Sequence, residues 1–177
     1  MHVLQWVAVE ADDEETAADE AESLLNQAMG DGENPSSWYD WFVVGGGRWN
    51  QMQDPYHNST NMIISYDKDP VGFRAKLQEL IQNRIDTYNE YHQEIKDKDV
   101  MAMFENYGGV MSYSLETYPL RNLLRFLDGD WFYDSKFYDL ITWSTNATHL
   151  LSKLDNHDLT TPKIVTGIFL VPIDFHF

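Results

Sequence analysis

The sequence contains no cysteine, so disulfide bonds and thiolate chemistry are excluded. It has no run of the ~20 consecutive apolar residues that a membrane-spanning helix needs. The opening stretch MHVLQWVAVEADDEE has neither a basic region nor a signal-peptide cleavage pattern. Together these absences predict a cytoplasmic protein without a membrane segment.

Basic residues are scarce and unevenly placed. The chain has 12 Lys and Arg against 29 Asp and Glu, a formal net charge of −17, and Arg48 is its first basic residue. From Glu10 to Asp40 there are 11 acidic residues. This balance argues against direct nucleic-acid binding, because phosphate contacts need a basic surface. It favours basic proteins, metal ions or small ligands as partners, and solubility alone is the open alternative.

The hydrophobic pattern predicts one α+β domain spanning residues 1–177. Alternation predicts a first strand in HVLQWVAVEA and a last strand in KIVTGIFLVPIDFHF. We expect both in a mixed or antiparallel sheet, with an acidic N-terminal helix and two main helices, about 70–97 and 119–128, packed on it. The initial order of strand, helix and strand suggests half of a ferredoxin-like fold.

Local signals place several of these boundaries. Asp12 or Asp13 is expected to cap the first helix, with Glu15 as capping-box partner of Asp12. Asp69 and Pro70 predict the start of the second helix. Short strands are expected in WYDWFVV and MIISY, extended structure around 137–143, and a weak helix or a loop in NATHLLSKLDNHD.

The stretch SWYDWFVVGGGRW is the first candidate site. Consecutive glycines permit positive φ angles and expose backbone N–H groups that can hold an anion, and an arginine fork suits a carboxylate or phosphate. Tryptophans can stack on a planar ring. A bulged hairpin with the tryptophans in the core, and the arginine neutralising a nearby aspartate, is the structural alternative. The ligand-binding candidates are Trp38, Tyr39, Trp41, Gly45, Gly46, Gly47, Arg48 and Trp49.

The final strand holds the second candidate site. Strand alternation directs Phe169, Val171 and their odd-numbered neighbours to one face, and Asp174 and His176 to the other, roughly 7 Å apart. A carboxylate and an imidazole on one face can share a metal ion or do acid–base work, or can simply be the solvated side of the strand. Asp40, Asp174 and His176 are therefore the catalytic candidates, with Asp174 and His176 also the metal candidates.

Familiar catalytic motifs are missing. There is no Walker loop, no G-x-G-x-x-G, no G-x-S-x-G and no H-E-x-x-H, and DGDWFYD lacks the ligand order of an EF-hand. The sequence therefore assigns no enzyme class and no cofactor.

Both candidate stretches also carry a resemblance. WYDWFVVGGGRWN together with a terminal VPIDFHF resembles a group of small phage-encoded proteins of unknown function, which have a W-Y/F-D-x-x-x-[VI]-G-G-R-W core and a valine-rich last strand ending in Asp-x-His. The resemblance covers about 20 residues and implies a viral accessory protein in the cytoplasm of an infected host. This chain has three glycines where that pattern has two.

Two functions follow as expectations. The first is an accessory protein whose acidic surface binds and modulates or inhibits a host protein or defence complex with a basic surface, including as a mimic of DNA. The alternative is a small-molecule or nucleotide-binding protein, or an enzyme, that uses the Gly45–Gly47 loop and Arg48 with Asp174 and His176. If the two chain ends meet, Asp40, Arg48, Asp174 and His176 should form one polar cluster.

Overall fold

A computed structural model provides the structure of the chain. The residues it describes are 2–29, 39–52, 54–99, 101, 123, 136–143, 147–155 and 167–176.

The described elements alternate between strands and helices. In chain order they are β1 (His2–Ala11), α1 (Glu14–Met29), β2 (Trp41–Val44), a 3₁₀ turn (Gly47–Trp49), β3 (Ile64–Ser65), α2 (Pro70–Ile95), β4 (Phe137–Asp139), α3 (Ala147–Asp155) and β5 (Gly167–His176). The predicted α+β class is confirmed.

The five strands form one mixed sheet that includes the first and last strands, as predicted. Its order is β2-β5-β1-β4, and the short β3 pairs with β5 beyond β2. Strand β5 runs antiparallel to β1, β2 and β3, whereas β4 runs parallel to β1. Because β1 and β2 are both antiparallel to β5, they are parallel to each other with β5 between them. This is the split β-α-β arrangement of a ferredoxin-like half.

Side chains of the sheet divide by parity between two apolar layers. Odd-numbered residues of β5, such as Phe169 and Val171, pack with Ala21 and Leu25 of α1. On the other face Leu170 packs with Phe73 of α2 and with residues of α3. The predicted orientation of the last strand is confirmed. Further along β5 on this second face lie Pro172 and Asp174. The chain segment that follows β2 covers these two residues, whereas a helix covers Leu170.

The helix starts follow the expected capping chemistry, with one correction. Asp69 accepts a hydrogen bond from the Gly72 N–H at 2.8 Å, and Pro70 opens α2. For α1 the cap is Asp13, which accepts hydrogen bonds from the backbone N–H and the hydroxyl of Thr16, both at 2.8 Å. The predicted pair of Asp12 with Glu15 is wrong, because the helix begins one residue later.

Other boundaries differ modestly from prediction. Helix α2 ends at Ile95 rather than 97, and of 137–143 only Phe137–Asp139 is a strand, followed by turns. The weak helical signal after Asn146 becomes α3. The helix predicted over 119–128 lies outside the described residues except for Leu123, which is helical and buried.

Candidate functional site at the ends of three strands

Three aromatic side chains form a row across one end of the sheet. Trp41 on β2 pairs with His176 on β5, and His176 pairs with His2 on β1. The Trp41 and His176 rings stack at 4.8 Å between centroids and 10° between planes. The His2 ring meets the His176 ring edge-on, with centroids 4.8 Å apart. Antiparallel pairing through β5 therefore brings the first strand and the glycine-containing segment to the same place.

A buried carboxylate lies directly behind this row. Asp174 is fully buried and lies two residues before His176 on β5, where it pairs with Leu4 of β1. Its Oδ1 is 2.9 Å from His2 Nδ1, and its Oδ2 accepts a hydrogen bond from the backbone N–H of Arg48, also at 2.9 Å. A buried carboxylate needs such partners because desolvation without them is costly. Asp174 therefore does not lie on a solvated strand face, which was one of the alternatives that the sequence left open.

The three glycines shape the segment that covers Asp174. Gly45, Gly46 and Gly47 all have positive φ, at 93°, 93° and 46°. A Cβ on Gly47 would lie 2.4 Å from Asp174 Oδ2, so only glycine lets the backbone approach the carboxylate this closely. We name residues Gly45–Trp49 the glycine loop.

The glycine loop holds an anion, but that anion belongs to the protein. The Arg48 N–H binds Asp174, the Gly45 N–H donates to the Pro172 carbonyl at 2.7 Å, and the Trp49 N–H donates to the Gly46 carbonyl. These backbone donors are therefore taken. The N–H groups of Gly45, Arg48 and Trp49 are therefore not available to a cradle around an external phosphate, which the sequence suggested.

A buried amide network fixes the loop from its far side. The Asn50 Nδ2 donates to the Gly45 carbonyl at 3.1 Å and to Ser59 Oγ at 3.0 Å, and it lies 2.5 Å from Asn61 Oδ1. Asn50 is itself buried. The loop conformation is thus set by polar contacts on both sides, which restricts where Arg48 and Trp49 can be.

A second imidazole–carboxylate contact lies at the edge of the row. His176 Nδ1 is 3.1 Å from Asp40 Oδ2, but the geometry is not that of a hydrogen bond, and this buried nitrogen has no hydrogen-bond partner. The Asp40 backbone N–H donates to the His176 carbonyl at 2.7 Å, which keeps the two residues adjacent. Each histidine of the row therefore has a carboxylate beside its Nδ1.

Side chains around the row are exposed. Arg48 is exposed, Trp49 is 41 % exposed and Tyr56 is 62 % exposed. Trp49 lies 6.4 Å from the His2 ring, and Tyr56 lies 6.1 Å from Trp41, between ring centroids. We name His2, Trp41, Arg48, Trp49, Asp174 and His176 the strand-end site.

The predicted polar cluster does form, although with different pairings. Asp40, Arg48, Asp174 and His176 lie together, so the expected meeting of the two motifs is confirmed. Asp174 pairs with His2 rather than with His176, and Arg48 approaches Asp174 through its backbone while its side chain pairs with neither aspartate.

One ligand-binding candidate lies elsewhere in the fold. Tyr39 is buried in the core, edge-on to Phe42 and Phe175 on the α1 side of the sheet. Trp38 lies outside the described residues. The remaining candidates, Trp41, Gly45, Gly46, Gly47, Arg48 and Trp49, are at or beside the strand-end site.

Sequence reasoning missed His2. The sequence does contain a signal for it. If the first and last strands pair antiparallel with their apolar residues on the same face, His2 lies opposite His176. No short motif contains this histidine, so only a correct strand register identifies it.

The metal candidates gain no support from the geometry. Within the part of the chain that the structure describes, no group of three or more His, Asp or Glu side chains is arranged to hold a metal ion. Asp174 and His176 are instead each engaged with a different partner.

A separate surface carries much of the acidic charge. Exposed carboxylates occur just after β1 and along α1, opposite the buried Ala17, Ala21 and Leu25. We name this surface the acidic face; it consists of Asp12, Asp13, Glu15, Asp19 and Glu20. Because α1 and the strand-end site lie on opposite faces of the sheet, the two surfaces can be altered independently.

The start of α1 perturbs two carboxyl groups. Hydrogen bonds from Thr16 lower the pKa of Asp13, and the hydrogen bond from the Lys68 ammonium lowers the pKa of Glu14. Lys68 Nζ is 2.6 Å from Glu14 Oε1. Both groups therefore favour the ionised form in the folded protein.

Comparisons of the chain with protein-family models, with curated proteins and with solved structures gave no match. Among the described helices, none combines the length and apolar character needed to cross a membrane.

Proposed function

We propose that this protein binds a partner protein with a basic surface through its acidic face, and thereby modulates or inhibits that partner. The observation that carries the proposal is the exposure of Glu15, Asp19 and Glu20 on α1 without a neighbouring cation in the described structure. Their side chains project on the side of α1 that does not pack on the sheet.

Helix formation accounts for only part of this charge. Asp13 caps α1, and Glu14 and Glu15 lie in the first turn, where the helix dipole favours negative charge. Asp19 and Glu20 lie beyond that turn. Asp19 also follows Glu15 by four residues, and like charges at this spacing destabilise a helix. The second-turn carboxylates therefore need an explanation other than helix stability.

Neutralisation by the residues that the structure describes does not provide such an explanation. Lys68 pairs with Glu14, and the Asn58 amide donates to Glu22 at 3.0 Å. In the residues that the structure describes, no Lys or Arg forms an ion pair with Asp19 or Glu20. Their charge is thus available to a partner.

A basic protein surface fits this arrangement best. Complementary charge accelerates association and makes binding sensitive to salt. The resemblance to small phage-encoded accessory proteins favours a host protein as that partner. Carboxylates that replace nucleic-acid phosphates on a DNA-binding host protein are the most specific form of this proposal.

The test compares capture of host proteins by two variants with equal charge change. The first replaces Glu15, Asp19 and Glu20 of the acidic face by Gln, Asn and Gln. The matched control replaces Asp86, Glu90 and Glu94 of α2, which are exposed carboxylates on another helix, in the same way.

We expect the wild type and the α2 variant to retain the same partner, released when salt rises from about 50 mM to about 500 mM, because screening weakens exposed charge contacts. The acidic-face variant should lose that partner at the lower salt. Equal capture by all three proteins would contradict the proposal.

A further inference from the structure

We propose that the strand-end site binds a small anion that carries a planar ring, of the nucleoside monophosphate class. This inference does not depend on the acidic face, which lies on the other side of the sheet. It assigns a ligand to His2, Trp41, Arg48, Trp49 and His176.

The two histidines have the same ring nitrogen, Nδ1, beside a carboxylate. His2 Nδ1 contacts Asp174 and His176 Nδ1 lies beside Asp40, so carboxylates occupy the Nδ1 side of both rings. Neither Nε2 has a partner among the described residues. An imidazole Nε2 donates or accepts a hydrogen bond according to its tautomer, so both atoms can contact a ligand. The two nitrogens belong to adjacent rings, whose centroids are 4.8 Å apart.

Arg48 of the glycine loop adds a guanidinium donor. Asp174 binds His2 through one oxygen and the Arg48 backbone through the other, so a single buried carboxylate positions both residues. The Arg48 guanidinium is exposed and has no ion-pair partner in the described part of the chain. An exposed guanidinium without a partner among the described residues can bind an external anion.

The aromatic side chains supply a surface for a planar ring. Trp49 is 41 % exposed next to His2, and Tyr56 is 62 % exposed next to Trp41. Bases stack on such side chains with little sequence preference. Exposed indole and phenol rings together with an exposed guanidinium match a ligand with one ring and one anionic group.

The net charge of the protein limits the number of phosphate groups that the ligand can carry. One exposed arginine suits a single phosphate group, whereas a polynucleotide requires a continuous basic surface. With a net charge of −17, the protein repels the flanking phosphates of a longer chain. The site therefore fits a mononucleotide and not a nucleic acid.

The test is calorimetric titration of the full chain with the four ribonucleoside monophosphates, with adenosine and inorganic phosphate as separate probes. We expect saturable binding of at least one monophosphate, and weaker binding of adenosine and of phosphate alone. Arg48→Ala should weaken monophosphate binding by about tenfold or more, because it removes a charge-assisted contact, and should leave adenosine binding unchanged. Trp49→Leu should weaken both monophosphate and adenosine binding.

Lys153→Ala is the matched control, because Lys153 is an exposed cation on α3, which packs beside β4 at the opposite edge of the sheet. It should bind as the wild type does. The Arg48 and Trp49 side chains are exposed and the Arg48 backbone contact survives substitution, so far-UV circular dichroism should show folded variants. Absence of saturable binding for all four monophosphates, or binding that Arg48→Ala and Trp49→Leu leave unchanged, would overturn the assignment. The acidic-face variant should retain monophosphate binding, which separates this test from that of the proposed function.

Discussion

His2 and Asp174 are separated by 172 positions in the chain, yet His2 Nδ1 lies 2.9 Å from Asp174 Oδ1. The other oxygen of the same carboxylate accepts the N–H of Arg48. One buried side chain thus joins the first strand, the last strand and the glycine loop, and holds the His2 imidazole beside Trp41 and Trp49.

Replacing Asp174 by alanine should destabilise the protein by about 3 kcal/mol, since it leaves two donors without their acceptor in a buried place. Asp174→Asn retains one oxygen acceptor and should cost less. Urea unfolding followed by tryptophan fluorescence measures both. A loss below about 0.5 kcal/mol for the alanine variant, the range typical of surface substitutions, would show that the contact contributes little.

Alanine substitutions in the glycine loop should differ in a defined order. A Cβ on Gly45 would lie 2.0 Å from the Ser59 carbonyl oxygen, which is backbone, whereas a Cβ on Gly46 would meet the flexible Met62 side chain at 2.9 Å. Both residues also have positive φ, which costs a non-glycine residue about 1–2 kcal/mol. Gly45→Ala should therefore be more destabilising than Gly46→Ala in the same unfolding assay. The reverse order would contradict the loop conformation.

The cap of α2 offers a simpler stability test. Asp69 accepts the Gly72 N–H, and Asp69→Ala should cost about 1 kcal/mol, a typical value for loss of an N-cap. Asp69→Asn and Asp69→Ser preserve an acceptor and should retain most of the stability. Equal destabilisation by all three variants would show that the side chain acts through something other than capping.

The start of α1 predicts a dependence of stability on acid pH. The pKa values of Asp13 and Glu14 are lowered in the folded state from ordinary values of 3.8 and 4.5. Their contribution is present above the unfolded-state pKa and is lost as the pH falls through the folded-state pKa. Unfolding midpoints should therefore fall as the pH decreases below about 4.5.

The variant Lys68→Ala isolates the Glu14 part of this effect. Without the ammonium, the pKa of Glu14 should return towards its ordinary value, and the decrease in the urea midpoint between about pH 5 and pH 3 should become smaller than in the wild type. An unchanged or larger decrease would show that the Lys68–Glu14 pair does not link protonation to folding.

Much of the fold was predictable because its signals are local. The alternation in β1 and β5, the cap at Asp69 and the glycines after β2 each act over a few residues, and all three appear where the sequence indicates. The choice of Asp13 over Asp12 as cap was not fixed by local pattern, because the two residues are chemically equivalent and packing of α1 on the sheet decides between them.

The site was predicted less completely, because its pairings depend on the strand register. Asp174 and His176 share a strand, and the sequence suggests that they act together. In the fold, each instead meets a residue from another element, His2 or Asp40. Similarly, the parity of WYDWFVV does not show that Tyr39 enters the core beside Phe175, since neighbouring aromatics fit either face until the sheet order is known.

The most direct test of the account is a double-mutant cycle on His2 and Asp174. His2→Phe preserves a ring beside Trp41 and His176 and removes the hydrogen bond, and Asp174→Ala removes its acceptor. Free energies of unfolding for the wild type, both single variants and the double variant give the coupling energy. We predict a coupling of about 1–3 kcal/mol, the range for a buried hydrogen bond to a charged group. Additivity within about 0.3–0.5 kcal/mol would contradict the claim that this contact joins the two ends of the chain at the strand-end site.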